Sequence, residues 1–398
     1  MIKRFISLSS SELFLRATKF LFFLSIANFY SESVIYEYGF FTALFSIVFV
    51  FSDLGYQSYI LKELSSKNSF SEYIKYSKLS IFRVLIFIFI SLFILLYYAY
   101  SNNILFLYIF ILFLADAIFA MNFSFYRAKN NSKKETIVKF IIGIVFMLTS
   151  LLSILKLDSQ LLFLILSFSY LIYAIYDSSY LRIKIILLFI KDFKFKKYIM
   201  ISKNSLFIFL GSLFTIAYLR IDILMLDWLN ISSAISLYTI ASRLLELSLV
   251  VPAMISVLLL PKLVKNQTIN IKKDLLFQLF IGVAVMILFL FLSNFIISIL
   301  FAKYIQTIVI LNILLFVIPF MLINNYGFTF FIAKSMSKYY FIITMVMLLL
   351  NSILNIIFIQ KYGYIAAAYT TLATEVLGSF IVVYVLRKGT LSNKRDLK

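Results

Sequence analysis

Runs of about 20 apolar residues alternate with short polar stretches along the whole of this chain. A run of that length, coiled as a helix, matches the roughly 30 Å thickness of a bilayer's hydrocarbon layer. The pattern predicts twelve spanning helices, over 10–30, 36–61, 79–100, 104–126, 137–155, 160–180, 200–226, 235–260, 275–300, 306–332, 339–359 and 364–386. The expected fold class is an all-α integral membrane protein. Composition agrees, with 63% of residues hydrophobic and a mean hydropathy of +1.03.

Charge then orients the spans. Of 37 Lys and Arg residues, 30 fall at the termini and on one set of alternate loops, and the other set holds only Lys156, Lys303 and Lys361. Cationic loops stay on the cytoplasmic side, so both termini are expected there, as an even number of spans requires. A net charge of +20 spread over many short loops makes no nucleic-acid groove; it suits retention on that side and attraction to anionic headgroups. The stretch after Lys3 and Arg4 ends in no small-residue cleavage site, so no removable signal peptide is expected.

The longest basic connection, 181–199, interleaves apolar residues with Lys184, Lys191, Lys194, Lys196 and Lys197, as a helix lying on the inner leaflet does. It separates two six-span halves, 1–190 and 191–398. Segment 38–62 aligns at an offset of 200 with 238–262, Tyr38 meeting Tyr238 and Lys62 meeting Lys262. An even number of spans per half inserts both copies in one orientation, so the repeat is parallel, about an axis along the membrane normal. The expectation is two pseudo-symmetric six-helix bundles around a central cavity.

Cysteine and histidine are absent. That excludes disulfides, thiolate or imidazole metal sites and any nucleophile–imidazole catalytic pair. No catalytic residue and no metal site is expected. The chemistry must lie in charges inside the spans, each of which costs about 2.5–3.5 kcal/mol at mid-membrane.

Those charges are Arg16, Lys19, Asp116, Asp177, Arg220, Asp222, Arg243, Glu246 and Glu375. Counting rise per residue puts Lys19, Asp116, Arg243, Glu246 and Glu375 near the middle of their spans. Asp177, Arg220 and Asp222 are expected nearer the outer ends. Arg16 and Lys19, three apart, share a face and need an anion, either a carboxylate on another helix or a substrate phosphate. Arg16 is also near enough the inner face to snorkel, and Arg83 is expected to do so. Arg243 and Glu246 can pair locally, as a structural pair or as part of a site. Pro252 and Pro319 interrupt spans eight and ten, and Asn324, Asn325, Asn351 and Asn355 place amides in spans ten and eleven. Such residues line water in cavities or glue helices together.

Three stretches resemble a known family. EYGFFTALFSIVFVFSDLGYQSYILKELSS (37–66) is similar to the opening of polysaccharide transporters. LRIDILMLDWLNISSAISLYTIASRLLELSLVVPAMISVLLLPKL (219–263) is similar to their seventh and eighth spans, with Arg-Ile-Asp, a Tyr, Ala-x-Arg and a Leu-x-Pro-Lys close. GYIAAAYTTLATEVLGSF (363–380) is similar to their last span. With the chain length and span count, these resemble the O-antigen and capsule repeat-unit flippases, often called Wzx, of the MATE-like MOP superfamily.

The resemblance implies movement of an undecaprenyl-diphosphate-linked oligosaccharide from the inner to the outer leaflet of a bacterial inner membrane, by rocking of two six-helix bundles. It implies that Arg16, Lys19, Arg220 and Arg243 form a cationic cavity facing the diphosphate or an acidic sugar, with Asp222 orienting Arg220. Asp116, Asp222, Glu246 and Glu375 are the groups that could gate, or couple to H⁺ or Na⁺; no other cofactor is implied. Its partners would be the lipid-linked cargo, membrane lipids, and a polysaccharide polymerase with a chain-length regulator. The alternatives are a MATE-type antiporter, which calls for an acidic cavity, a lipid II flippase, chemically closer but of a family that generally has two further spans, and a membrane polysaccharide polymerase, an enzyme, which calls for a large outward loop.

Overall fold

The computed structural model describes residues 2–53, 70–99, 104–128, 131–178, 186, 189–191, 206–248 and 270–395. Among these residues every regular element is a helix. They form two compact units, Met1–Phe209 and Leu210–Lys398, divided inside the first turn of the seventh helix rather than at the basic linker. Most of that linker, together with Pro252, Lys62 and Lys262, lies outside the described residues.

The first unit holds α1 (Ile2–Phe29), α2 (Glu32–Asp53), α3 (Phe70–Ala99), α4 (Leu105–Ala128), α5 (Ser132–Ile154) and α6 (Ser159–Asp177). The second holds α7 (Leu206–Trp228, which begins just before the division), α8 (Ser232–Ser248), α9 (Ile271–Leu300), α10 (Thr307–Leu315), α11 (Ile318–Ala333), α12 (Ser337–Tyr362) and α13 (Ile365–Arg395). Each of the twelve expected spans coincides with one of these helices, except that span ten is divided between α10 and α11. Polar side chains close the starts: Asn131, Asp158 and Asn270 accept from the backbone N–H of Lys134, Gln160 and Lys273, groups a helix leaves unsatisfied in its first turn. Gly363, at φ +72°, carries the chain from α12 to α13 through a left-handed residue that a side chain would strain.

Part of the packing pattern recurs between the units, although the extensive packing of α1 on α5 has no counterpart of similar extent between α7 and α12 among the described residues. In the first, α2 lies on α4, α3 on α4, α4 on α6 and α5 on α6. Six spans later, α8 lies on α10, α9 on α10 and α11, α11 on α13 and α12 on α13. The recurrence is what a parallel duplication of a six-span unit produces.

The outer surfaces are apolar. Phe280, Phe291 and Phe295 of α9 and Phe89, Phe93 and Leu96 of α3 are all exposed, an arrangement that would aggregate in water and is at home in lipid. Among the described residues nine helices are long and apolar enough to cross a membrane by themselves, and α10 with α11 makes a tenth. This is a multi-pass membrane protein.

The break in span ten has a cause. Pro319 lies in the first turn of α11, where its missing N–H costs nothing, and the two pieces meet at 47°. α9 follows the bend because Gly282 faces it: a Cβ there would come within 2.5 Å of the Pro319 Cα. Backbone cannot swing aside as a side chain can. Gly282→Ala is therefore expected to cost about 1–3 kcal/mol by overpacking, read as a lower melting temperature of the detergent-solubilised protein. Unchanged melting would mean that α9 and α11 can separate without loss.

Candidate functional site

In the first unit, Lys19 of α1 reaches Asp116 of α4 at 3.3 Å. Tyr170 of α6 donates its hydroxyl to the same carboxylate at 2.5 Å. The Lys19 ammonium also stands over the rings of Phe146 and Tyr170, 5.3 and 5.7 Å from their centroids, where ring faces attract a cation. Lysine and aspartate each keep about a third of their side-chain surface open (37% and 33%), so the pair remains reachable.

Arg16 belongs to a different cluster although it is one turn from Lys19. Its Nε donates to Glu12 at 3.0 Å, a carboxylate on its own helix that sequence reasoning passed over. From there charges alternate. Glu12 takes Lys139 at 2.9 Å, Lys139 also meets Glu135 at 3.0 Å, and Glu135 takes Arg127 at 2.8 Å. Glu135 and Lys139 are buried, so this ladder fastens α1, α4 and α5 together at the end carrying the 127–139 loop. Asp177 lies at that same end, not the outer one expected for it. It accepts from Tyr126 at 2.6 Å and Asn122 at 2.9 Å and pairs with Lys134 at 3.2 Å. Span six runs back toward the basic loops, so its last turn returns to them.

Arg83 is likewise not a snorkelling residue. It is 1% exposed, donates to Asp53 at 2.8 Å and lays a second nitrogen on the Met121 sulfur.

In the second unit, Arg220 of α7 and Arg243 of α8 converge on a single carboxylate. Arg220 Nη1 meets Glu246 Oε1 at 2.6 Å and Arg243 Nη1 meets Oε2 at 3.0 Å. Two guanidiniums from different helices thus share one carboxylate.

Asp222 turns elsewhere. Two residues along a helix are about 200° apart, so Arg220 and Asp222 face opposite sides of α7. Asp222 is 5% exposed and accepts only from neutral donors: Tyr238 of α8, Asn355 of α12 at 2.7 Å and Thr371 of α13 at 2.6 Å. The residue bonded to Arg220 is thus Glu246, not Asp222. Around the carboxylate the network continues through Asn355 to Asn351 at 2.9 Å, and the Thr370 hydroxyl donates to Asn355. No Lys or Arg pairs with Asp222 among the described residues. Glu375, also buried, accepts from Asn324 of α11 at 2.5 Å.

No protein-family model and no curated protein sequence matches this chain. Solved structures do. The lipid II flippase MurJ in an inward closed conformation is similar at a TM-score of 0.66 and 19% identity, over 96% of this chain and 87% of that one. An inward-facing multidrug resistance MATE transporter of the MOP superfamily superposes at 0.73 with 11% identity, over 96% of each chain. The fold is that of the MOP superfamily transporters. A third such neighbour, from Pyrococcus furiosus, is described by the reversed polarity of its binding pocket; it is 12% identical at a TM-score of 0.63, over 98% of this chain and 96% of that one.

Within this MOP fold the eight predicted site residues divide four ways: Arg16 in the end ladder, Lys19 with Asp116, Arg220 with Arg243 and Glu246, and Asp222 and Glu375 in amide and hydroxyl networks. Sequence reasoning missed Glu12, Tyr170, Tyr238, Thr370 and Thr371. The two threonines stand inside the quoted span-twelve motif and Tyr238 marks the repeat, so the signal was a run of hydroxyls in otherwise apolar spans.

Proposed function

We propose that this protein carries an undecaprenyl-diphosphate-linked oligosaccharide, an O-antigen or capsule repeat unit, from the cytoplasmic to the outer leaflet of a bacterial inner membrane by ion-coupled alternating access. The observation that carries this is the pair of arginines within spans seven and eight, Arg220 and Arg243, sharing one carboxylate. Arginines inside apolar spans are costly unless an anion uses them. Guanidinium is the side chain best shaped for phosphate oxygens. A diphosphate cannot cross hydrocarbon unaided, and fixed cations offset part of the hydration it loses. The likeness to a lipid II flippase supports the reading. A MATE-type drug antiporter, the second reading, is favoured by the MATE neighbours and disfavoured by arginines where a cationic drug would bind.

We place coupling at Asp222. The surrounding Asn351, Asn355, Thr370 and Thr371 offer hard oxygens, which suit Na⁺, and a carboxylate held only by neutral donors suits a proton equally. The bound ion would supply the positive charge that the buried carboxylate lacks.

The test is a strain deleted for this gene. Spheroplasts with a glycan label that cannot cross membranes report the leaflet on which lipid-linked oligosaccharide builds up. Build-up on the cytoplasmic leaflet, reversed by the wild-type gene but not by Arg220→Ala or Lys19→Ala, is the expected result. Single repeat units accumulating outside would move the assignment to polymerisation, and no accumulation would move it to small-molecule export.

A further inference from the structure

Glu246 occupies a position that the proposed cargo needs. Its two oxygens take one guanidinium each, from different helices. A phosphate presents the same edge of paired oxygens with more charge, and Arg binds both groups in the same forked way. Substrate phosphate and Glu246 therefore compete for the same donors.

Exposure says which of them can leave. The Glu246 side chain is 36% exposed, against 17% for Arg220 and 19% for Arg243. The carboxylate is the least covered of the three side chains, so it is the one that can leave with least disturbance of the helix packing. Arg220 Nε is buried and finds no acceptor among the described residues, so within them this guanidinium has a donor to spare beyond the bond it gives the carboxylate. A tetrahedral group with further oxygens could take it up.

We infer that Glu246 is a resident competitor at the anion site: cargo phosphate binds by displacing the Glu246 carboxylate from Arg220 and Arg243, and the returning carboxylate displaces the cargo at release. This rests on the flippase reading and adds a device to it. A bare pair of buried arginines would hold a diphosphate too tightly to let go. An internal carboxylate lowers the affinity by its own displacement and restores the cluster after each passage. It also sets specificity: a monoanion such as a simple carboxylate gains little by replacing another carboxylate, whereas a diphosphate gains charge and oxygens.

The experiment uses the full chain in nanodiscs of zwitterionic phosphatidylcholine, titrated with farnesyl diphosphate and, separately, with inorganic diphosphate. Glu246→Gln is expected to bind farnesyl diphosphate about tenfold tighter or more, while flipping in the spheroplast assay falls because release is impaired. Glu246→Asp, whose shorter arm cannot span both guanidiniums, should show a smaller gain. Inorganic diphosphate should rank the variants in the same order, because the ranking depends on the head group. A merely structural glutamate would give weaker binding on substitution, not tighter.

Equal or weaker binding by a folded Glu246→Gln overturns the competitor role and leaves the flippase reading standing. Failure of wild type and every folded variant to bind either diphosphate removes the anion site, and the competitor with it. Should Glu246→Gln not fold, Glu246→Asp decides: a gain in affinity supports the inference and no gain overturns it.

Discussion

Replacing Arg83 by alanine is expected to remove folded protein from the membrane, not to slow a folded transporter. The guanidinium is 1% exposed on α3 and meets Asp53, the last described residue of α2. Asp53 opens the Asp-Leu-Gly stretch of the first resembling segment. Losing the arginine takes the ion pair from a partly buried carboxylate and empties a large volume between α2, α3 and α4. Breaking a buried ion pair by removing one partner costs about 3–5 kcal/mol, a large share of the roughly 5–15 kcal/mol that holds a typical domain. The measurement is size-exclusion chromatography of detergent extracts carrying a fluorescent tag. A monodisperse peak at wild-type height would show that the pair is dispensable. Arg83→Lys should be intermediate: it keeps the charge but loses the fork that reaches Asp53 and Met121 together.

The contrast with Arg83's expected role shows where reading a sequence stops. Length and hydropathy fix how many helices cross, because the bilayer imposes one length on all of them. Even the break in span ten is legible, through Pro319. What a linear pattern does not carry is which face of a helix looks inward and which distant helix it meets. Arg83 lies at a depth from which it could have snorkelled; its rotation about α3 sends it into the unit instead. Asp177 was misplaced for a simpler reason, since span six runs opposite to span five and its last turn returns to the basic loops.

The candidate site divides along the same line. Arg243 and Glu246 are three apart and their pairing is local, so it could be read directly. Asn351 and Asn355, four apart, likewise shared a face in advance. Arg220 joins Glu246 from another helix, and the partners of Asp222 come from 133 and 149 residues away. Only the fold brings those together. The two charges of the Arg-Ile-Asp motif are two residues apart in sequence and face different helices. That divergence puts a guanidinium on one side of the helix and a carboxylate on the other.

Asp222→Asn should leave a folded protein that has lost its drive. Asparagine keeps the shape, and its carbonyl can still accept from Tyr238 and Thr371. Its amide would face the amide of Asn355, which now donates to Asp222 at 2.7 Å, so one bond is lost and melting should fall slightly. The functional effect is far larger. A permanently neutral group cannot exchange a proton or attract Na⁺, and without differential binding of an ion to the two states no gradient can bias their populations. Flipping is expected to drop at least about tenfold, a change of about 1.4 kcal/mol or more in the driving equilibrium. What remains should be indifferent to uncouplers and to exchange of Na⁺ for K⁺, whereas wild type should respond to one of them and so identify the ion. Asp222→Ala goes further, orphaning buried donors at about 1–3 kcal/mol each, and should lower expression as well as transport. If Asp222→Asn flips cargo at the wild-type rate and still responds to the gradient, coupling lies elsewhere, and Glu375, buried against Asn324, becomes the carboxylate to replace next.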